Sequence, residues 1–182
     1  MNFNEVIKTR RSIRKYKQTE IPESVIEDVL DSARYAPSSM NGQPWEFLVV
    51  RDSDKKRRLS AIKNKYCPIE KLKYSADFLC HVPVIIILCV NLEKSYDRTV
   101  ENSVLAASHI LLKACEKGLG TVYMSAYKTG EPKLTEDIKH LFNIPDSLVP
   151  ITLIPIGYPD EIPEVKNLVP LRDIVSYETF GT

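Results

Sequence analysis

The run Val82–Val90, which reads VPVIIILCV, constrains this chain more than any other stretch. It is apolar at every position and rich in β-branched residues, which fit a pleated strand and crowd a helix. A strand with one wet face would alternate in polarity, so one that is apolar throughout must be covered on both faces. The run is also far too short for a helical membrane span, which takes ~20 residues. The sequence therefore predicts a central strand sandwiched between packed elements. At 182 residues the chain is the size of one domain.

The periodicities on either side supply those elements. Pro22 pre-sets a helical φ, and Val25, Ile26, Val29, Leu30 and Ala33 recur at helical spacing, which predicts an amphipathic helix over Glu23 to Ala36, halted by Pro37. Asn2 to Thr9 reads as a short opening helix, and Lys55 to Lys65 as a charged surface helix with Lys56-Arg57-Arg58 on a solvated face. The longest helical stripe runs from Val100 to Lys117, with Gly118 as its C-cap, and Thr135 to Phe142 forms a short helix. Trp45 to Val50, Thr121 to Ala126, and Ile151 to Ile156 (broken at Gly157) read as further strands. Strands and helices alternate without an even βαβ beat. That favours an α+β class, a sheet wrapped by helices, in a single domain over 1–182.

Charge and cysteine usage narrow the function. A formal net charge of +1 gives no global field to recruit nucleic acid or an anionic membrane, so neither is expected as a partner. The opening MNFNEVIKTRR has no apolar signal core, and the cytoplasm is the default expectation. Cys67, Cys80, Cys89 and Cys115 include no Cys-x-x-Cys pair and no histidine at zinc-finger spacing, so buried structural thiols are expected and a metal site is not. His81, His109 and His140 are scattered, and no catalytic triad, carboxylate pair or Walker loop stands out. An enzyme of this kind would take its reactivity from a cofactor.

Four segments could hold one. Lys8, Arg10, Arg11, Arg14, Lys15 and Lys17 crowd around Ser12; guanidinium forks suit phosphate, although a basic run alone can equally be a solvated face. Ala36-Pro37-Ser38-Ser39-Met40-Asn41-Gly42-Gln43-Pro44-Trp45 joins a helix to a strand with small hydroxyl and amide groups pinned by prolines, suited to a heterocycle's edge or to an ordinary connection. Gly118-Leu119-Gly120 follows a helix and precedes a strand, the reverse of a dinucleotide fingerprint. Gly157-Tyr158-Pro159-Asp160 closes the last strand, and Lys166 sits in a proline-punctuated tail.

The order of these motifs resembles the nitroreductase family: Arg10-Arg11-Ser12-Ile13-Arg14, then Ala36-Pro37-Ser38-Ser39-x-Asn41-x-Gln43-Pro44-Trp45, then Gly118-Leu119-Gly120 and Ile156-Gly157-Tyr158-Pro159. The likeness covers about residues 3 to 178. It implies a mostly antiparallel sheet wrapped by helices and an intertwined homodimer with FMN at the subunit interface. It further implies a ping-pong hydride transfer from NADH or NADPH to nitroaromatics, quinones or flavins, with reductive dehalogenation, flavin breakdown or a non-catalytic flavin-binding module as alternatives. By the same resemblance Arg10, Arg11, Ser12 and Arg14 would hold phosphate, ribityl chain and the N1/O2 side of the flavin, with Arg14 stabilising the reduced ring. Pro37, Ser38, Ser39, Asn41 and Gln43 would come from the partner subunit, Tyr123, Met124, Ser125 and Ala126 would line the isoalloxazine, and Gly157 and Lys166 would complete the site. Two positions depart from the family pattern: Leu168 where an arginine is common, and Ser125 where glycine or glutamate is common. The chain is also short for the family, with little sequence to roof the site.

Overall fold

The computed structural model describes residues 1–67 and 75–180. At its centre β2 (Val84–Asn91) lies between β1 (Trp45–Val50) and β5 (Leu148–Gly157), antiparallel to both. Two very short strands, β3 (Gly120–Thr121) and β4 (Met124–Ser125), pair with the far edge of β5. The expected central strand is thus present, starting two residues later than predicted because Pro83, which cannot donate to a ladder, precedes it.

The alternation of β2 sorts the core into two halves. Ile85, Ile87 and Cys89 pack with Leu59 of α3 (Ser53–Lys65) and with Ile138 and Leu141 of α5 (Pro132–Phe142). Val84, Ile86, Leu88 and Val90 pack with Ile26 and Val29 of α2 (Glu23–Ala33) and with Ala106, Ala107 and Ile110 of α4 (Thr99–Glu116). The short α1 (Phe3–Thr9) rests on α4. Each fully buried Ile, Leu or Val contributes roughly 1.5–3 kcal/mol, so a polar residue in β2 would break whichever half it faced. Among the described residues no helix is long and apolar enough to cross a membrane.

Several predicted boundaries move for local reasons. α2 ends at Ala33 rather than Ala36, because the N–H groups of Arg34, Tyr35 and Ala36 bond three residues back, to Asp31, Ser32 and Ala33. α3 opens at Ser53, where Asp52 caps it by accepting from the Lys55 N–H at 2.8 Å. α5 opens at Pro132, a residue pre-shaped for a first helical turn. The predicted strand Thr121–Ala126 is two fragments interrupted at Val122–Tyr123, and β5 reaches back to Leu148.

Two further expectations need correction. Lys56 is not on a solvated face: it is buried and its Nζ donates to the Val82 carbonyl at 2.7 Å, while burial draws its pKa down. Of the cysteines only Cys89 is buried, its thiol pushed up to about 12 by desolvation; Cys67, Cys80 and Cys115 are half-buried.

Candidate active site

The basic segment reaches the sheet through backbone bonds. The Ile13 N–H donates to the Thr121 carbonyl at 2.9 Å, Lys17 N–H to Tyr158 O at 2.9 Å, and Asp160 N–H to Lys15 O at 2.9 Å. Ile13 and Tyr16 are buried beneath it, and the Tyr16 hydroxyl donates to the Ile13 carbonyl. Two glycines permit this approach. A Cβ on Gly120 would stand 2.8 Å from the Ile13 Cβ, and one on Gly157 would stand 2.9 Å from the Tyr16 ring. Gly157 gives room to the Tyr16 ring and to Pro83.

With Ile13 and Tyr16 turned inward, Ser12 and Arg14 are exposed and Arg10 half-buried. Half-buried Arg11 donates from its guanidinium to the carbonyls of Lys8, at 2.7 Å, and Arg10, at 3.0 Å, and with Arg10 it borders the groove beside Gly118–Thr121. Glu161 accepts from the backbone N–H groups of Arg14 and Lys15. Arg10 lines a groove of about 310 Å³ with Thr9 and Gly118–Thr121, whereas Arg14 lines a separate cavity of about 430 Å³. Four extended residues span ~13 Å, in keeping with the two side chains bordering different cavities.

The larger cavity is flanked by Val122–Ser125 on the sheet side. Facing them are Lys63 of α3 and Tyr66 just past its end, Phe78, Leu134 of α5, and the turn carrying Tyr127, Lys128 and Thr129. Lys63 Nζ donates to the Ser125 carbonyl at 2.7 Å, and Ser125 Oγ donates to the Tyr127 carbonyl at 2.8 Å. Tyr66 is fixed from behind: its hydroxyl donates to Asp137 at 2.8 Å, and Lys65 Nζ donates to the same oxygen at 3.0 Å. Hydrogen bonds from Lys65 and then Tyr66 hold the Asp137 carboxyl below its ordinary range. Ala126 is buried and spends its N–H on the Ile151 carbonyl at 2.8 Å, so within Tyr123–Ala126 it brings no free donor. Lys63, Tyr66 and Lys128 are wall residues the sequence reading missed. Lys63 and Tyr66 sit in a polar stretch indistinguishable from solvated surface until the tertiary fold half-buries them, and Lys128 stays exposed at the rim.

The serine–asparagine loop lies elsewhere. Met40, Asn41 and Gln43 all adopt positive φ, held by Gln43 N–H on Ser38 Oγ at 3.0 Å and by Ser39 N–H on Asn102 Oδ1 at 2.9 Å. Asn102, buried on α4, donates in turn to the Ser95 carbonyl at 3.0 Å. Pro37, Asn41 and Gln43 remain exposed, with Ser38 and Ser39 half-buried.

Two rulers measure how far this loop is from the basic segment. Trp45, at the loop's end, is level with Val90 and Val149, whereas Thr121, beside Ser12, is level with Ile156. Seven strand residues separate those levels, ~23 Å at ~3.3 Å each. Along α4, Asn102 holds Ser39 while Cys115 lies 3.7 Å from Thr9; thirteen helical residues give ~20 Å. Within one chain the two halves of the expected site stand at opposite ends of the sheet. Lys166 lies exposed in the tail and lines neither cavity.

The profile of the Nitroreductase family matches residues 7–158, which include the docked basic segment, the loop and the whole sheet. The chain belongs to the nitroreductase family. This family member is 37% identical, over 92% of its length, to a Methanothermobacter thermautotrophicus protein provisionally named NADH dehydrogenase/NAD(P)H nitroreductase, of which 83% is covered. It is 30% identical to the iodotyrosine deiodinase of Thermotoga neapolitana, with 97% of each chain covered. Among solved structures, an FMN-dependent nitroreductase from Clostridium difficile superposes with a TM-score of 0.83 at 31% identity, covering 97% of this chain and 99% of that one. The expected nitroreductase-like fold, helices around an antiparallel sheet, is therefore the observed one.

Proposed function

We propose that this nitroreductase-family chain is an FMN-dependent NAD(P)H oxidoreductase whose two flavin sites lie at the interface of a homodimer. The observation that carries the reading is the ~20 Å of α4 between Asn102 and Cys115, which keeps the serine–asparagine loop of one chain away from its own Arg10–Arg14. A second copy can bring its loop to that segment. Two unsatisfied features favour such a copy. Among the described strands β1 has a neighbour on one side only, and apart from Glu46 its residues are apolar, with Leu48 and Val49 exposed. The tail beyond Asp160 carries apolar side chains open to solvent, Ile162, Val165 and Phe180 each more than 90% exposed. In the assembly we infer, each tail lies along its partner.

The residues present fit the cofactor. Arg14 has no ion-pair partner among the described residues and stands beside a cavity whose wall is aromatic and apolar as well as cationic. Arg10 and Ser12, with Lys166 if the tail folds over, would hold the phosphate end, since a guanidinium gives phosphate two charge-assisted bonds. Tyr123, Met124 and Ser125 would flank the ring, and Arg14 would neutralise charge on its pyrimidine side. When bound, FMN supplies two-electron chemistry between a nicotinamide and an acceptor. For a nitro acceptor the balance is one hydride from NAD(P)H and one solvent proton in each cycle, with one nitro oxygen leaving as water and a nitroso group formed.

Reductive dehalogenation is the second reading, favoured by full-length similarity to a deiodinase. An absorbance spectrum of the purified protein reconstituted with FMN, followed by anaerobic NADPH titration and addition of a nitroaromatic, separates the two. Bleaching and recolouring with turnover supports nitroreduction, and bleaching that only a halogenated phenol reverses supports dehalogenation. A colourless protein that FMN cannot reconstitute overturns both.

A further inference from the structure

The wall of the 430 Å³ cavity has an uneven charge. It contains Arg14, Lys63 and Lys128, and no carboxylate lines it among the described residues. Neighbouring acids stand outside this lining: Asp137 holds Lys65 and the back of Tyr66, Glu161 accepts from backbone N–H groups beside the other groove, and Glu131, whose N–H donates to the Lys128 carbonyl at 3.0 Å, is not among the wall residues. Between the cations stand the rings of Tyr66, Phe78, Tyr123 and Tyr127. A cavity this size falls within the range that takes up small organic ligands, and low-dielectric walls of one sign raise the local concentration of the opposite charge.

The three cations have different duties. Arg14 is assigned to the flavin. Lys63 is tied to the Ser125 carbonyl and so reaches across the floor from α3 to β4. Lys128 stands exposed at the rim, and no side-chain bond or ion pair holds it among the described residues. A lysine costs conformational entropy to order, which an incoming anion would offset. We propose that the acceptor reduced here is a planar aromatic bearing a carboxylate or similar anionic group, its ring among the tyrosines and its charge at Lys128. This inference rests on the oxidoreductase reading above and adds the charge of the substrate to it.

Two acceptors that differ only in charge test it: 4-nitrophenylacetate and 4-nitrophenylacetamide, whose methylene insulates the nitro group from the change. With the FMN-loaded dimer and saturating NADPH, the expected kcat/KM ratio favours the anion by about tenfold or more at low salt, and the preference collapses on going from ~0.05 M to ~1 M NaCl as screening shortens. Lys128→Glu, at an exposed position that leaves the fold intact, should invert or abolish the ratio, chiefly through KM of the anion. Equal turnover of the two compounds, or a ratio unmoved by both salt and Lys128→Glu, overturns the inference while leaving nitroreduction in place. Failure to reduce either compound, with NADPH still bleaching the flavin, would instead count against nitroreduction.

Discussion

Gly120 and Ile13 meet so closely that a single methyl group on the glycine would stand 2.8 Å from the isoleucine Cβ. This contact lets the basic segment run beside β3, with Ser12 bridged to Thr121. Gly120→Ala must therefore push Arg10–Arg14 off the sheet. Overpacking of this kind costs roughly 1–3 kcal/mol. The expected result is a lowered Tm and a weakened FMN affinity together. A variant with native Tm and native FMN affinity would show that the segment's seat is unimportant to the site.

Arg10→Ala probes the phosphate end without disturbing that seat, since Ile13 and Tyr16 hold the backbone. Loss of a charge-assisted contact of about 1.5–3 kcal/mol should raise the FMN dissociation constant at least tenfold, measured by fluorescence quenching on titration of the apoprotein. An unchanged constant would remove Arg10 from the site.

Asn102→Ala tests the loop from a distance. The side chain bridges Ser39 N–H and Ser95 O and is 1% exposed. Its removal leaves buried polar groups without partners, at a cost of roughly 1–3 kcal/mol, and should loosen Ser38–Gln43 as well as lower Tm. If the loop serves the neighbouring chain's flavin, affinity for FMN falls too. A drop in Tm with undiminished FMN affinity would confine Asn102 to stability.

Acid should unfold the protein through identifiable pairs. Hydrogen bonds from Lys65 and Tyr66 hold Asp137 below its ordinary range, and a hydrogen bond from Lys117 does the same to Asp28. Because the folded values lie below the unfolded ones, the unfolded chain binds more protons as pH falls through the carboxylate range. The stabilisation is thus whole above about pH 5 and is lost progressively below about pH 4. Both carboxylates are partly exposed, so the effect is modest and screened by salt. Melting curves from pH 7 to pH 3 should show a shallower decline for Asp137→Asn than for the native chain; parallel curves would dismiss the pair.

The central strand was legible because an unbroken β-branched apolar run has one stable destination. The helices were legible in kind, but their ends shifted wherever a side chain, such as Asp52, took over capping. The segment Thr121–Ala126 misled because its residues favour extension whether or not a partner strand lies beside each of them, and only Thr121, Met124 and Ser125 find such pairing together with Gly120. The basic run was legible as a segment, but its division was not: Arg10 and Arg11 border one groove and Arg14 another, because the backbone bonds of Ile13 and Lys17 fix which way each side chain faces. Lys63, Tyr66 and Lys128 were invisible for a different reason: a polar wall residue on a helix, a helix end or a turn acquires meaning only from what packs opposite. The glycines carried more than a residue pattern can reveal. Their role is defined by Ile13 and Tyr16, which lie more than a hundred residues away.

The length of α4 has one last consequence. If it holds the loop and the arginines apart, damage to each belongs to a different neighbour's pocket, and two crippled proteins can repair one another. Arg10→Ala and Ser39→Pro preparations that each fail to hold flavin should, once mixed, unfolded and reassembled together, regain colour in about one pocket in four, the share expected when unlike chains pair at random and concentrate both lesions on one side of the dyad.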